Sequence, residues 1–110
     1  MQELTHLING EKVTGTSGRF AEARNPATGE VISKVPLATV AELDAAVEKA
    51  AAAQKEWAKV NPQRRARVFM KFGALINDHM DELAEILSKE HGKTIPDAKG
   101  DIQRGLEVVE

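Results

Sequence analysis

The sequence predicts an α/β segment in which short β-hairpins come first and α-helices follow. Three observations predict it. An Asn9-Gly10 pair sits between two short strand-like runs, His6-Leu7-Ile8 and Glu11-Lys12-Val13. Asn-Gly is the preferred pair for a two-residue type I′ turn, because both central residues need positive φ. A second turn signal, Asn25-Pro26-Ala27-Thr28-Gly29, separates the runs Arg19–Arg24 and Glu30–Val35; proline presets φ and glycine admits the positive-φ position. From Thr39 onward the apolar spacing changes to three and four residues, the period of a helix. The division expected is a hairpin region over 1–36 and a helical region over 39–110, with three to four helices.

Each element has its own signal. Phe20 is the largest apolar side chain of the second strand. The returning strand alternates imperfectly, Val31, Ser33 and Val35 against Glu30, Ile32 and Lys34, so strand type is clearer than register. Thr39-Val40-Ala41-Glu42 is a capping box: the threonine side chain accepts from the Glu42 amide and Glu42 reaches back. Leu43, Val47, Ala50, Gln54 and Trp57 then form the expected inward stripe of the first helix, with Trp57 as a core anchor. Val60-Asn61-Pro62 ends it, and Asn61 caps the next helix with Pro62 at its first position. That helix runs to about Asn77. Phe69, Phe72, Ile76, Met80, Leu83 and Leu87 continue one apolar stripe across a weak stretch at Asn77-Asp78-His79, where a kink or break is expected. Asp81-Glu82 suits a fresh helix start, and Gly92 suits its left-handed end. Thr94 caps a last helix carrying Ile102, Leu106 and Val109. It reaches Glu110 without glycine, proline or a basic last turn, and the expectation is that Glu110 is not the biological C-terminus.

Composition excludes several classes. There is no cysteine, so no disulfide scaffold, zinc-thiolate site or cysteine nucleophile lies within these residues. The net charge of −2 makes no case for nucleic acid or an acidic membrane. No apolar run reaches the ~20 residues of a membrane span, and Met1–His6 lacks the basic start and apolar core of a signal peptide. The default location is cytoplasmic.

Few residues qualify as chemistry. Gly92-Lys93-Thr94 imitates the end of a phosphate-binding loop, but Leu87 stands where that motif needs its first glycine, and a helix rather than a strand precedes it. It reads as a helix end followed by a cation near the negative dipole terminus. Gly15 and Gly18 lack the third glycine and following helix of a dinucleotide fingerprint. Arg64, Arg65, Arg67 and Lys71 cluster at one helix start without interleaved aromatics, which suits a solvated or salt-bridging face. His6, His79 and His91 are scattered and form no i, i+4 metal pair. Arg104 stands apart, one turn from Asp101 and next to Gly105. It reads either as a surface pair with Asp101 or as an anion-binding guanidinium whose fork fits a carboxylate, with the glycine leaving room for a ligand. From the residues alone, a free-standing helical interaction module remains open.

The order of Leu7-Ile8-Asn9-Gly10-Glu11, Asn25-Pro26-Ala27-Thr28-Gly29-Glu30-Val31-Ile32, the alanine-rich helix ending near Trp57, and Leu83–Leu87 through Glu90-His91-Gly92-Lys93 resembles the N-terminal region of the aldehyde dehydrogenase superfamily. Asp97-Ala98-Lys99-Gly100-Asp101 and Arg104–Glu110 resemble its methylmalonate-semialdehyde, coenzyme A-acylating branch. The resemblance implies an α/β, aldehyde dehydrogenase-like fold in which the segment is the first part of the NAD-binding domain, packing on a Rossmann-like sheet that the chain lacks. It implies NAD-dependent oxidation of malonate or methylmalonate semialdehyde with acyl transfer to coenzyme A, in a homotetramer; a non-acylating relative is the alternative within the family. Arg104 matches a position that binds the semialdehyde's carboxylate, and Glu90 one that in some relatives contributes to a monovalent-cation site. No catalytic, cofactor-binding or metal residue is assigned here, since the family's catalytic cysteine, its oxyanion asparagine and its cofactor-binding residues match nothing in the segment. The segment alone is expected to be inactive, to bind neither NAD nor coenzyme A tightly, and to leave its apolar stripes without partners.

Overall fold

A computed structural model describes all 110 residues. The elements are β1 (Gln2–Glu3), β2 (His6–Ile8), β3 (Glu11–Val13), β4 (Phe20–Arg24), β5 (Val31–Pro36), α1 (Val40–Trp57), α2 (Pro62–Asp78), α3 (Met80–His91) and α4 (Ile95–Val109). The chain divides into two compact units: residues 1–24 with 30–59, and residues 25–29 with 60–110.

The first unit holds the strands and α1. β2 and β3 pair antiparallel, with His6 opposite Val13 and Ile8 opposite Glu11. Asn9 and Gly10 at their turn both take positive φ, 54° and 77°, as a type I′ turn requires. A second sheet has the order β1-β5-β4. β4 and β5 pair antiparallel with a register irregularity at Ala23/Arg24, which accounts for the imperfect alternation in the sequence. β1 runs parallel to β5, Gln2 facing Ser33 and Glu3 facing Lys34. Nothing in the sequence announced β1: two residues carry no period, and a parallel partner some thirty positions away leaves no local signal. Lys34 lies over the Phe20 ring at 5.8 Å from its centroid.

The capping box of α1 is formed as expected. Thr39 Oγ1 accepts from the Glu42 amide at 3.1 Å, and Glu42 Oε1 accepts from the Thr39 amide at 3.1 Å. Glu42 Oε1 also accepts from the amide and hydroxyl of Thr16, tying the 14–18 loop to the helix start. The expected inward stripe of α1 needs correction. Leu43 and Val47 are each 58% exposed and Trp57 is 39% exposed, so Trp57 is no core anchor here. Within this unit the strands cover little of the helix, and only Glu42 and Ala46 are half-buried along it. α1 also ends at Trp57 rather than Val60, its last turn closed by the Ala58 amide on the Gln54 carbonyl.

The second unit packs α2, α3 and α4. Asn61 caps α2 by accepting from the Gln63 amide at 2.8 Å, with Pro62 first in the helix. The expected break falls at His79, whose φ of −104° and ψ of 17° leave the helical range between α2 and α3. α3 closes on Gly92 in the left-handed conformation, φ 84°. Thr94 caps α4 by accepting from the Asp97 amide at 3.3 Å. The buried residues are small: Ala84 on α3 and Ala98 on α4 are fully buried, and Leu106 is 5% exposed. Alanines between packed helices let the backbones approach closely, and their small side chains leave no mark in the pattern of large apolar residues. The apolar stripe of α2 and α3 is thereby only partly covered. Ile76, Met80 and Leu87 are half-buried, while Phe69 and Phe72 are each 51% exposed.

Candidate functional site

The Gly92 turn builds the site. Its left-handed φ reverses the chain after α3. A Cβ at Gly92 would stand 2.9 Å from Pro26 Cγ, so the Asn25–Gly29 turn rests directly on this glycine. That turn is itself held by an Asx bond from the Ala27 amide to Asn25 Oδ1, 2.9 Å, and by the Gly29 amide on the Asn25 carbonyl, 2.8 Å. Ser88 Oγ donates to the Lys93 carbonyl at 2.6 Å, fixing the residue after the turn. Lys93 then extends its ammonium to Asp101 Oδ2 on α4. This pairing replaces the phosphate-loop likeness of Gly92-Lys93-Thr94: the lysine is spent on an internal carboxylate.

Asp101 has a second partner. Its Oδ1 accepts from Arg104 Nη1 at 3.2 Å. Both carboxylate oxygens are therefore engaged, one by each cation. The Asp101 carboxyl is held below its ordinary pKa, chiefly by the Lys93 hydrogen bond and further by the charges of Lys93, Arg104 and His91, against an opposing effect of partial burial. Arg104 stays largely exposed, its side chain at 72%. Only Nη1 is used within the protein, and it lies 3.6 Å from where a Cβ on Gly100 would be. The Nε–Nη2 edge of the guanidinium makes no hydrogen bond to the chain. Around Gly105 a Cβ would meet nothing within 4 Å. The arrangement is one carboxylate clamped between two cations, with the Nε–Nη2 edge of an exposed guanidinium left without a partner in the chain.

Of the sequence candidates, Arg104 thus sits in a built cluster, and its i, i+3 pairing with Asp101 was readable. The sequence relates Lys93 only to the helix dipole; its bond to Asp101 depends on the turn between α3 and α4. Glu90 is exposed, and no three histidine, aspartate or glutamate side chains gather as a metal would need. His79 Nδ1 lies 2.8 Å from Glu82 Oε2 at the start of α3. A groove of about 530 Å³ runs between α2 and the end of α4, lined by Phe69, Met70, Gly73, Asn77, Leu106 and Val109 among others. It holds no cation, and Arg104 is not part of it. Its chemistry is that of a packing surface. No helix is long and apolar enough to cross a membrane.

Residues 13–110 match the model of the Aldehyde dehydrogenase family. The chain belongs to the aldehyde dehydrogenase family. It is 49% identical over 107 residues to a malonate-semialdehyde dehydrogenase of Geobacillus kaustophilus, covering 97% of this chain and 22% of that protein. It is 47% identical over 104 residues to a mitochondrial protein of Dictyostelium discoideum assigned as an acylating methylmalonate-semialdehyde/malonate-semialdehyde dehydrogenase, covering 94% of this chain and 20% of that one. Among solved structures it is similar to a protein of Sinorhizobium meliloti 1021, assigned as a methylmalonate-semialdehyde dehydrogenase and crystallised with NAD. The identity there is 67% and the TM-score 0.95, over 99% of this chain and 22% of the other. The chain therefore spans about a fifth of the length of these relatives, and the expected α/β, aldehyde dehydrogenase-like fold is the fold observed.

Proposed function

We propose that the chain is the N-terminal part of a NAD-dependent, coenzyme A-acylating dehydrogenase of malonate or methylmalonate semialdehyde, and that Arg104 receives the substrate's carboxylate. The observation that carries the reading is the open Nε–Nη2 edge of Arg104, anchored through Nη1 on Asp101 on a side chain that is 72% exposed. An uncharged aldehyde has no use for such a group, whereas a semialdehyde carries a carboxylate of matching geometry. Relatives described as acting on malonate and methylmalonate semialdehydes support the substrate class, and one described as acylating supports the coenzyme A step.

The chemistry needs more than these residues. The chain has no cysteine, so the thiol that forms the acyl-enzyme must come from elsewhere in the enzyme. NAD does not fit these residues either. β5 leads to α1 through Leu37-Ala38-Thr39 with no glycine, and Gly15 and Gly18 lead into strand β4 rather than a helix. A pyrophosphate needs a glycine turn at a helix start. The part played here is positional: Arg104 binds and orients one end of the substrate while the other end reacts. The working enzyme is a cytoplasmic homotetramer on this reading, and the isolated segment is inactive.

Two measurements test it. In the full-length enzyme, Arg104→Leu raises KM for the semialdehyde about thirtyfold, the equivalent of roughly 2 kcal/mol for a hydrogen-bonded charge pair, and raises it far less for propanal. Equal effects on both substrates would remove the carboxylate role. Calorimetric titration of the 110-residue chain with NAD gives no micromolar binding; a micromolar constant would contradict the division of labour.

A further inference from the structure

We infer that Asp101 and Lys93 form a charge-balanced bracket that positions Arg104 for a carboxylate, Asp101 choosing which edge of the guanidinium faces outward and Lys93 cancelling the repulsion Asp101 would otherwise exert on the substrate. The inference rests on the carboxylate-binding reading of Arg104.

A guanidinium on a long side chain has many rotamers, and an exposed one loses entropy when a ligand fixes it. Here Nη1 is already committed to Asp101 Oδ1 at 3.2 Å. One turn back stands Gly100, which has no side chain; a Cβ there would lie 3.6 Å from Nη1. The edge remaining is Nε–Nη2, the one that offers two parallel N–H groups to a carboxylate. Asp101 therefore preorganises the fork.

Alone, this solution has a cost. A carboxylate beside the binding cation repels a carboxylate ligand across a few ångströms, where such terms are large. Lys93 removes that cost. Its ammonium occupies Oδ2, the oxygen that Arg104 does not use. Lys93, Asp101 and Arg104 together keep one net positive charge, and it is presented on the open side of Arg104. The lysine can do this only because it is fixed from behind, by the left-handed Gly92 and by Ser88 Oγ on its carbonyl. Its side chain is 30% exposed against 72% for Arg104, so the two cations are unequal: one turned inward as a counter-charge, one outward as a ligand group.

The test uses the full-length enzyme, with malonate semialdehyde and propanal compared in every variant. Asp101→Ala raises KM for the semialdehyde about tenfold through lost preorganisation, and the ratio of the semialdehyde KM to the propanal KM rises with it. Asp101→Glu recovers part of the loss. Lys93→Met leaves the aspartate uncompensated and raises the semialdehyde KM about fivefold at low salt, an effect that shrinks as salt screens it. The decisive variant is the double one: Lys93→Met with Asp101→Asn binds the semialdehyde better than Lys93→Met alone, because both charges are gone. A merely structural pair would also be relieved when both charges go, but equally for propanal; recovery confined to the semialdehyde marks the bracket. Equal effects of Asp101→Ala on both substrates, or a double variant no better than Lys93→Met, overturns the inference. Arg104→Leu separates the two levels: if it is selective while the Asp101 and Lys93 variants are not, the bracket alone fails; if it is unselective, the carboxylate site fails and the bracket with it.

Discussion

Gly92 and Gly73 lie in the same unit, and opposite outcomes are expected from the same substitution. Gly92 holds φ at 84°, and an added Cβ would meet Pro26 Cγ at 2.9 Å. Left-handed backbone costs an alanine about 1–2 kcal/mol before any clash, so Gly92→Ala destabilises by at least about 2 kcal/mol. It also releases the Lys93 turn. Gly73 sits inside α2 with helical φ, and its added Cβ would stand 3.4 Å from Leu106 Cδ1, an ordinary contact. Gly73→Ala is therefore neutral or stabilising by up to about 1 kcal/mol, the helix-propensity gain over glycine. Circular-dichroism melts of the two variants at one fixed protein concentration order them as Gly73→Ala, wild type, Gly92→Ala; the reverse order would refute the contact reading. Half of this was legible in the sequence. A glycine ending a helical run announces a left-handed end by a local rule. That Pro26 rests on it was not legible, because the contact joins distant positions that only the folded unit brings together. The same holds at the candidate site. Asp101 and Arg104 are i, i+3 neighbours on any helix, while Lys93 reaches Asp101 only across the turn.

At the scale of elements, the readable features were the ends. Thr39 with Glu42, Asn61 with Pro62, Gly92 and Thr94 each end a helix through bonds that span four residues or fewer, and all four form as the sequence implies. The faces were less readable. Periodicity marks a stripe but not its cover, so Leu43, Val47 and Trp57 stand exposed while Ala84 and Ala98 are buried. The α1 cap makes a pH prediction. Glu42 has its pKa lowered, first by its bond from the Thr39 amide and then by Thr16, with partial burial opposing. A carboxyl whose folded value lies below its unfolded one stabilises fully above the unfolded value and loses that contribution as pH falls through the folded value. The ordinary value is 4.5, so the cap persists at pH 4.5 and fades only below it. The Thr39 amide resonance titrates with a midpoint below 4.5, and Glu42→Gln abolishes that titration. A midpoint at or above 4.5 would contradict the capping geometry. Thr39→Ala, which removes the other half of the box, costs about 1 kcal/mol.

For the molecule as a whole, the imbalance between apolar surface and buried core decides behaviour. An independent domain of about this length buries roughly two-thirds of its unfolded surface. Here the buried apolar residues are two alanines, one leucine and Pro36, while α2 alone exposes Val68 at 56%, Phe69 at 51%, Met70 at 70%, Phe72 at 51% and Leu75 at 45%. These positions point around most of the helix, more than one apolar stripe would require. On the reading proposed above, the rest of a dehydrogenase some five times longer packs against them. Without that cover, the helices keep their caps and local bonds but share little core, and cooperativity comes from shared core. The expected result for the 110-residue chain is a helical spectrum with a broad melt whose midpoint rises with protein concentration, since association buries surface that folding leaves open. Sedimentation over a tenfold concentration range shows the association directly. Met70→Lys weakens it while preserving helix content, because lysine favours helix as methionine does and places a charge on the exposed face. A sharp melt independent of concentration, with a monomer at every loading, would show that the two alanines, Leu106 and Pro36 suffice as a core and that the exposed faces of α2 need no cover.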